Sequence, residues 1–362
     1  MRARPTESSG MAVRIALSVL ALLPLLTGGS GTVAAEPVSF KGKTLTMLIG
    51  FAAGGGTDLS GRLIAAHLGK YLPGQPTIIV QNMPGAEGMT AMNFFANQSK
   101  PDGLTLTMGS GSVADPINFR KPQAKYDPSK FLFVGGTGRG GTIAIISKEA
   151  EARLYDKSKP QVIMGSPGGA PRSGVLVAAW GIEFLGWNAK WVGGYKGTSD
   201  LFTALERAEI DMTATSSTHQ VEKLLKTGKF KIVSQSGMIR DGKLLPRSDF
   251  PDAPLLPAML AGKIADPIAR KSFDYWSSLE SKDKWLALPP ETPADIVQVY
   301  REAFLKLTED PEFLARAKGL AEDFTPTSWQ DLQSWIKTMA DTPNESIAFL
   351  SVMLHHQGVQ AE

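Results

Sequence analysis

The chain contains no cysteine. That excludes disulfides, thiol catalysis, thiolate-held zinc, iron–sulfur clusters and a lipid-modified N-terminal Cys. An excess of either charge is missing too. Thirty-eight Lys and Arg oppose 35 Asp and Glu, a formal net of +3 over 362 residues, with no basic run or stripe. Nucleic-acid binders neutralise phosphates with clustered Lys and Arg, so that class is set aside. Histidine is scarce, with four in all, two of them adjacent as His355-His356. Without H-E-x-x-H spacing this pair reads as a solvated helix end, not a metal site.

Long apolar runs are confined to the N-terminus. Arg2, Arg4 and Arg14 precede Ile15–Leu26, and small residues follow to Val33-Ala34-Ala35. A charged start, a short apolar stretch and a small-residue site are the layout of a secretory signal peptide. The stretch is too short to span a bilayer comfortably. Residues 1–35 are therefore expected to be cleaved, leaving Glu36 as the mature N-terminus. The remainder has no second run of that kind, so an exported, periplasmic protein with no membrane insertion is expected; a monomer is expected as well.

What is abundant is glycine, 37 residues, clustered where apolar runs end. Thr44–Phe51 runs into Ala52–Asp58, Thr77–Val80 into Gln81–Gly85, and Leu104–Met108 into Gly109–Ser112. Helical spacing fills the intervals, as in Leu59, Leu63 and Ala66 and then Met89, Met92 and Phe95. The order predicts a parallel sheet with right-handed crossovers. A second block repeats it. Gln161–Met164 ends at Gly165–Gly169, Ala189–Val192 at Gly193–Gly197, and Ile210–Ala214 at Thr215–Ser217. Two β-prone runs between the blocks, Phe131–Val134 and Thr142–Ser147, read as crossings. Residues 237–290 carry no clear pattern. Helices are expected near Ala294–Leu307, Pro311–Lys318, Ser328–Ala340 and Glu345–Leu354.

In open α/β sheets ligands bind beyond the carboxyl ends of the strands. Here those ends offer Gly, Ser, Thr and Asn and hardly an ionisable group. Glycines let backbone N–H groups come close to a ligand. A helix N-terminus adds unpaired donors and partial positive charge. Such loops, aimed from two halves, can hold an anion without Arg. Asp58 is expected to cap its helix and accept loop N–H bonds, with Arg62 pairing to it one turn on. Gly136–Gly141 matches G-x-G-x-x-G, but a β-prone run follows instead of a helix, so it reads as a loop between strands. Ser166 lacks a nucleophile elbow. Trp180, Trp187 and Trp191 read as core, and Tyr195 as a cleft aromatic.

Seven short motifs, in order, resemble the tripartite tricarboxylate transporter substrate-binding proteins, also called Bug proteins. They are Ile49–Asp58 with Arg62, Asn82–Ala86, Pro101–Leu106, Tyr126–Pro128, Ser166–Gly168, Tyr195–Gly197 and Ile210–Met212. Pro290–Val297 resembles the lead into that family's C-terminal helices. Gly50 stands where many members have Pro, and residues 237–290 are longer and more charged than the family leads one to expect.

The resemblance implies a type II periplasmic-binding-protein fold, α/β, with two mainly parallel lobes joined by a two-strand hinge. Residues 36–140 would form lobe I, residues 141–250 lobe II, and residues 251–362 would return to lobe I with the C-terminal helices. It implies a small carboxylate ligand, delivery to membrane permease subunits, no cofactor and no catalysis. Carried over by position, the ligand-binding residues in lobe I would be Phe51, Ala53, Gly54, Gly55, Gly56, Thr57, Asp58, Asn82, Gly85, Ala86, Ser110, Gly111 and Ser112. Lobe II would answer with Ser166, Gly168, Gly169, Tyr195, Thr215 and Ser216. Hinge candidates are Gly135–Ile143 and Ser236–Pro257. The rival readings are a ligand-sensing domain for a signalling partner and an exported hydrolase using the Asp58 carboxylate.

Overall fold

The glycine-ended runs of the first block become strands. The computed structural model describes residues 37–54, 56–138, 140–167, 173–195, 198–240, 243–317 and 325–359; the expected signal peptide lies outside them. Strands β1 (Thr44–Ile49), β2 (Thr77–Asn82) and β3 (Thr105–Ser110) are parallel, joined through helices α1 (Gly56–Leu68) and α2 (Met89–Gln98). Two single-turn helices follow, α3 (Gly111–Ala114) and α4 (Pro116–Phe119), and then β4 (Leu132–Gly138).

The chain leaves this sheet at Gly138 and opens a second one at β5 (Ile143–Ser147). There α5 (Lys148–Leu154), β6 (Val162–Pro167), α6 (Leu176–Leu185), β7 (Ala189–Tyr195), α7 (Thr198–Glu206), β8 (Met212–Thr215), α8 (Thr218–Lys226) and β9 (Phe230–Gln235) alternate. A small hairpin of β10 (Met238–Arg240) and β11 (Lys243–Leu245) is followed by α9 (Leu256–Met259) and α10 (Pro267–Ser281). The side chain of Asp266 starts α10 by accepting the Ala269 N–H at 2.7 Å.

Strand β12 (Lys284–Leu288) then re-enters the first sheet. It is followed by α11 (Ala294–Glu309), α12 (Pro311–Ala317), β13 (Thr325–Thr327), α13 (Trp329–Asp341) and α14 (Asn344–His356). The first sheet has the order β13-β4-β12-β3-β1-β2 and the second β7-β6-β8-β5-β9. Both are mixed. β12 runs antiparallel to β3 and β4, and β5 antiparallel to β8 and β9. The runs expected to be crossings are thus full strands, and the chain crosses between the end of β4 at Gly138 and the start of β5 at Ile143. Strand β12 escaped the sequence reading because all five of its residues are buried, which leaves no polar alternation to read.

Each sheet is covered on both faces. On the first, one core gathers Met47, Ile64, Tyr300 and Phe304, and the other Phe95, Phe133, Trp285 and Trp335. On the second, one core holds Trp180, Trp187, Phe273 and Trp276, and the other Ile143, Leu201 and Leu224. Helices α11, α12 and α13 cover the first sheet. Helix α14, grouped with them from the sequence, contributes Met353 and Leu354 to the Trp180 core of the second.

Gly181 in α6 makes that core possible. A Cβ there would lie 2.1 Å from the Trp187 indole. Alanine is the better helix former by about 1 kcal/mol, but overpacking a filled core costs about 1–3 kcal/mol. Gly181→Ala is therefore expected to lower the thermal midpoint. A raised midpoint would show that the indole has room to yield.

Candidate ligand-binding site

The registers set the geometry of the site. Ile49 lies beside Asn82 and Met108, Ser110 beside Lys284, and Lys284 beside Thr137. The carboxyl ends of β1, β2, β3 and β4 therefore share one edge of the first sheet. On the second, Tyr195 lies beside Pro167, and Ile143 beside Thr215 and Gln235. The carboxyl ends of β6, β7, β8 and β9 share an edge as well. The chain passes from the first edge to the second between Gly138 and Ile143, and it returns beside the end of β4, where the Asp283 N–H donates to the Thr137 carbonyl at 2.9 Å.

The loop after β1 is held by its own carboxylate. Asp58 is buried, 1% exposed, in the first turn of α1. Its Oδ2 accepts from the Gly54 N–H at 2.8 Å and Arg62 Nε at 2.9 Å, and its Oδ1 accepts from Asn82 Nδ2 at 2.8 Å. Asn82 Nδ2 also donates to the Phe51 carbonyl at 2.9 Å, and its Oδ1 accepts from Arg62 at 3.0 Å. Burial pushes the Asp58 carboxyl up, but the bonds from Arg62, Gly54 and Asn82 outweigh it and hold it down at about 2. The bond from a loop N–H and the Arg62 pair are as the sequence indicates. The oxygens of Asp58 and the amide of Asn82 are thus engaged in holding the loop. Ala53, Gly54 and Gly56 remain exposed, and Phe51 and Thr57 half-buried. The first N–H groups of a helix have no partner within it, and α1 brings Gly56 and Thr57 to this edge.

The loop after β2 is strained. Gly85, Ala86, Glu87 and Gly88 all have positive φ, at 147°, 46°, 57° and 95°. Non-glycine residues there cost on the order of 1–3 kcal/mol each, and such strain gathers at functional sites. The loop also presses on its neighbour, since a Cβ on Gly50 would lie 2.9 Å from the Gly88 Cα. Gly85 and Ala86 are exposed, and a Cβ on Gly88 would lie 3.1 Å from the Phe51 ring. After β3, Ser110 Oγ and Ser112 Oγ are 2.7 Å apart, and the Gly111 N–H is taken by the Asp283 carbonyl at 2.8 Å.

On the second edge Tyr195 is half-buried at the end of β7. Ser166 is fully buried within β6. Thr215 Oγ1 accepts the Ser217 N–H at 3.2 Å, shaping the turn into α8, and Ser216 is half-buried. Gly55, Gly168 and Gly169 lie outside the described residues. Among the described residues no cluster of three or more His, Asp or Glu could hold a metal ion, and no helix is long and apolar enough to cross a membrane.

Sequence reasoning missed Arg247, Asp249 and the buried run Glu280–Lys284. All sit in the stretch that showed no pattern. Ser236–Pro257, expected as a hinge, instead stays with the second sheet: the Gln235 N–H donates to the Pro254 carbonyl at 2.8 Å and the Ser236 N–H to the Thr142 carbonyl at 2.9 Å. The return to the first sheet comes later, between α10 and β12. Glu280, in the last turn of α10, accepts from Thr142 Oγ1 at 2.8 Å and ties that helix end to the first crossing. The only advance signal was an isolated Arg247-Ser248-Asp249 between prolines.

The arrangement is two mixed α/β sheets between which the chain passes twice, each with small-residue loops at its carboxyl edge. No family model matches the chain. A UPF0065 protein of Cupriavidus necator is 25% identical over 331 residues, covering 87% of this chain and 89% of that protein. A TctC solute-binding protein from Polaromonas has the same fold, with a TM-score of 0.65 at 20% identity, over 88% of this chain and 100% of that one. The R. palustris protein Rpa4515, solved with adipate, matches with a TM-score of 0.53 at 18% identity, over 87% of this chain and 97% of that one. The fold is thus shared with solved solute-binding proteins, and the sequence motifs resemble the tripartite tricarboxylate transporter substrate-binding proteins.

Proposed function

We propose that the protein is a periplasmic solute-binding protein that captures a small carboxylate between its two sheets and presents it to a membrane permease of the tripartite tricarboxylate type. The observation that carries this reading is the pair of carboxyl edges between which the chain passes from Gly138 to Ile143, each followed in the sequence by short runs rich in Gly, Ser and Thr. A carboxylate at the α1 N-terminus gains about 0.3–1 kcal/mol from each favourable helix-end interaction, and up to roughly 2 when partly buried. A ligand that touches both edges has more affinity for the closed form than for the open one, and so shifts the protein toward closure. The adipate complex of Rpa4515 supports the ligand class, and the Polaromonas TctC protein supports the solute-binding role.

Thermal shift against succinate, adipate, citrate and acetate tests the reading. A ligand at 100 times its dissociation constant adds about 2.7 kcal/mol of stability. A raised midpoint with at least one di- or tricarboxylate is expected. No shift with any of the four would overturn the ligand class.

A further inference from the structure

Arg247 is almost wholly buried, 2% exposed, in the segment that follows the small hairpin. A buried guanidinium is costly unless its donors are satisfied. This one uses all five of its N–H groups. Nε and one terminal nitrogen donate to Asp249 at 2.9 and 2.6 Å. The same terminal nitrogen reaches Thr218 Oγ1 at 2.6 Å, at the start of α8. The other donates to the Ser216 carbonyl at 2.7 Å and the Gly141 carbonyl at 2.8 Å. One side chain thus ties three separate pieces of chain together: its own segment, the turn from β8 into α8, and the last part of the crossing between sheets.

The segment that carries Arg247 is itself fixed. Its N–H donates to Gln235 Oε1 at 2.8 Å, while Gln235 Nε2 donates to the carbonyls of Phe250 at 3.0 Å and Ala253 at 2.8 Å. Gly141 lies against the same segment, since a Cβ there would come within 2.4 Å of the Gly237 carbonyl oxygen. Gly141 and Gly140 both have positive φ, at 87° and 75°.

We propose that Arg247 is a positioning residue for ligand binding: it locks the Thr215–Thr218 turn and Gly141 to the body of the second sheet. Motion between the sheets is then confined to the crossing ahead of Gly141 and to the return near Ser281–Lys284. The second-sheet turn meets a ligand already in place, so less ordering cost is charged against binding. The inference rests on the reading of that turn as ligand-facing.

Hydrogen–deuterium exchange of the unliganded protein and calorimetry with adipate test it together, on Arg247→Met, Arg247→Lys and Asp249→Asn. In Arg247→Met, exchange at residues 141–143 and 216–220 is expected to rise at least ten-fold, exchange in α1 to stay unchanged, and adipate affinity to fall at least ten-fold. Arg247→Lys keeps the charge without the planar fork. It is expected to fold, to raise exchange in the same segments at least three-fold, and to recover part of the affinity. Asp249→Asn keeps the bonds to Ser216 and Gly141, so affinity and protection are expected to stay within about three-fold of wild type. Unchanged exchange at 216–220 in folded Arg247→Lys would overturn the proposal. So would an affinity loss in Asp249→Asn equal to that in Arg247→Met, which would mark a general loss of stability. Wild-type protein that ignores adipate would count against the ligand reading alone, and the exchange data would still decide the role of Arg247.

Discussion

Gly56→Trp is expected to lower carboxylate affinity at least 100-fold while leaving the thermal midpoint within about 2 °C of wild type. Gly56 opens α1 and is exposed. It adopts none of the positive φ angles that would forbid a side chain. In a helix Gly is about 1 kcal/mol worse than Ala, so any other residue there relieves rather than adds backbone cost. The indole would, however, stand in front of the first N–H groups of the helix, where an anion must approach. A bulky group in that position removes the helix-end donors from the site and holds the edges apart. Titration calorimetry with the carboxylate that gives the largest thermal shift measures the loss. Affinity within three-fold of wild type would take the α1 N-terminus out of the binding site.

The contrast between what could and could not be read in advance has a physical basis. The β–turn–α units were legible because each buries apolar residues at a fixed period and ends at glycine. Thr44–Ile49, Thr77–Asn82 and Thr105–Ser110 appear where the pattern puts them. The Asp58–Arg62 pair was legible because residues one helical turn apart are neighbours on the surface. Asn82, by contrast, was read as a ligand contact, and its bonds to Phe51 and Asp58 connect residues 31 and 24 positions apart. No local pattern encodes such a tie. Strand β12 pairs with β3 and β4 across more than 140 residues, and its uniform burial matches a short buried helix as well as a strand. Arg247 was invisible for the same reason. A long charged side chain in a proline-rich stretch reads as solvated surface, and only the tertiary fold supplies carbonyls from Gly141 and Ser216 to receive it.

Asp58→Ala is expected to combine a stability loss of about 2–3 kcal/mol with an affinity loss of ten-fold or more. Hydrogen bonds to charged groups are worth about 1.5–3 kcal/mol, and removing one partner leaves the others unsatisfied. Here the Gly54 N–H, Arg62 Nε and the Asn82 amide would all lose their acceptor, and with it the shape of the loop ahead of α1. Asp58→Asn is expected to be nearly as damaging. If its oxygen keeps the bond from Asn82, its NH₂ group is turned toward two donors. The pH dependence separates this account from simple loss of packing. The folded carboxyl sits at about 2, below the unfolded value of about 4. Its contribution is therefore complete above about pH 4 and is lost as the pH falls through 2. Asp310, which accepts bonds from Tyr71 and Lys70 and is likewise held at about 2, weakens wild type and variant alike in that range. The difference between wild type and Asp58→Asn isolates Asp58. Urea denaturation from pH 6 to pH 2 is expected to show a constant gap down to about pH 4 that narrows below it. A gap that persists unchanged to pH 2 would mean that the ionised carboxylate is not what holds the loop.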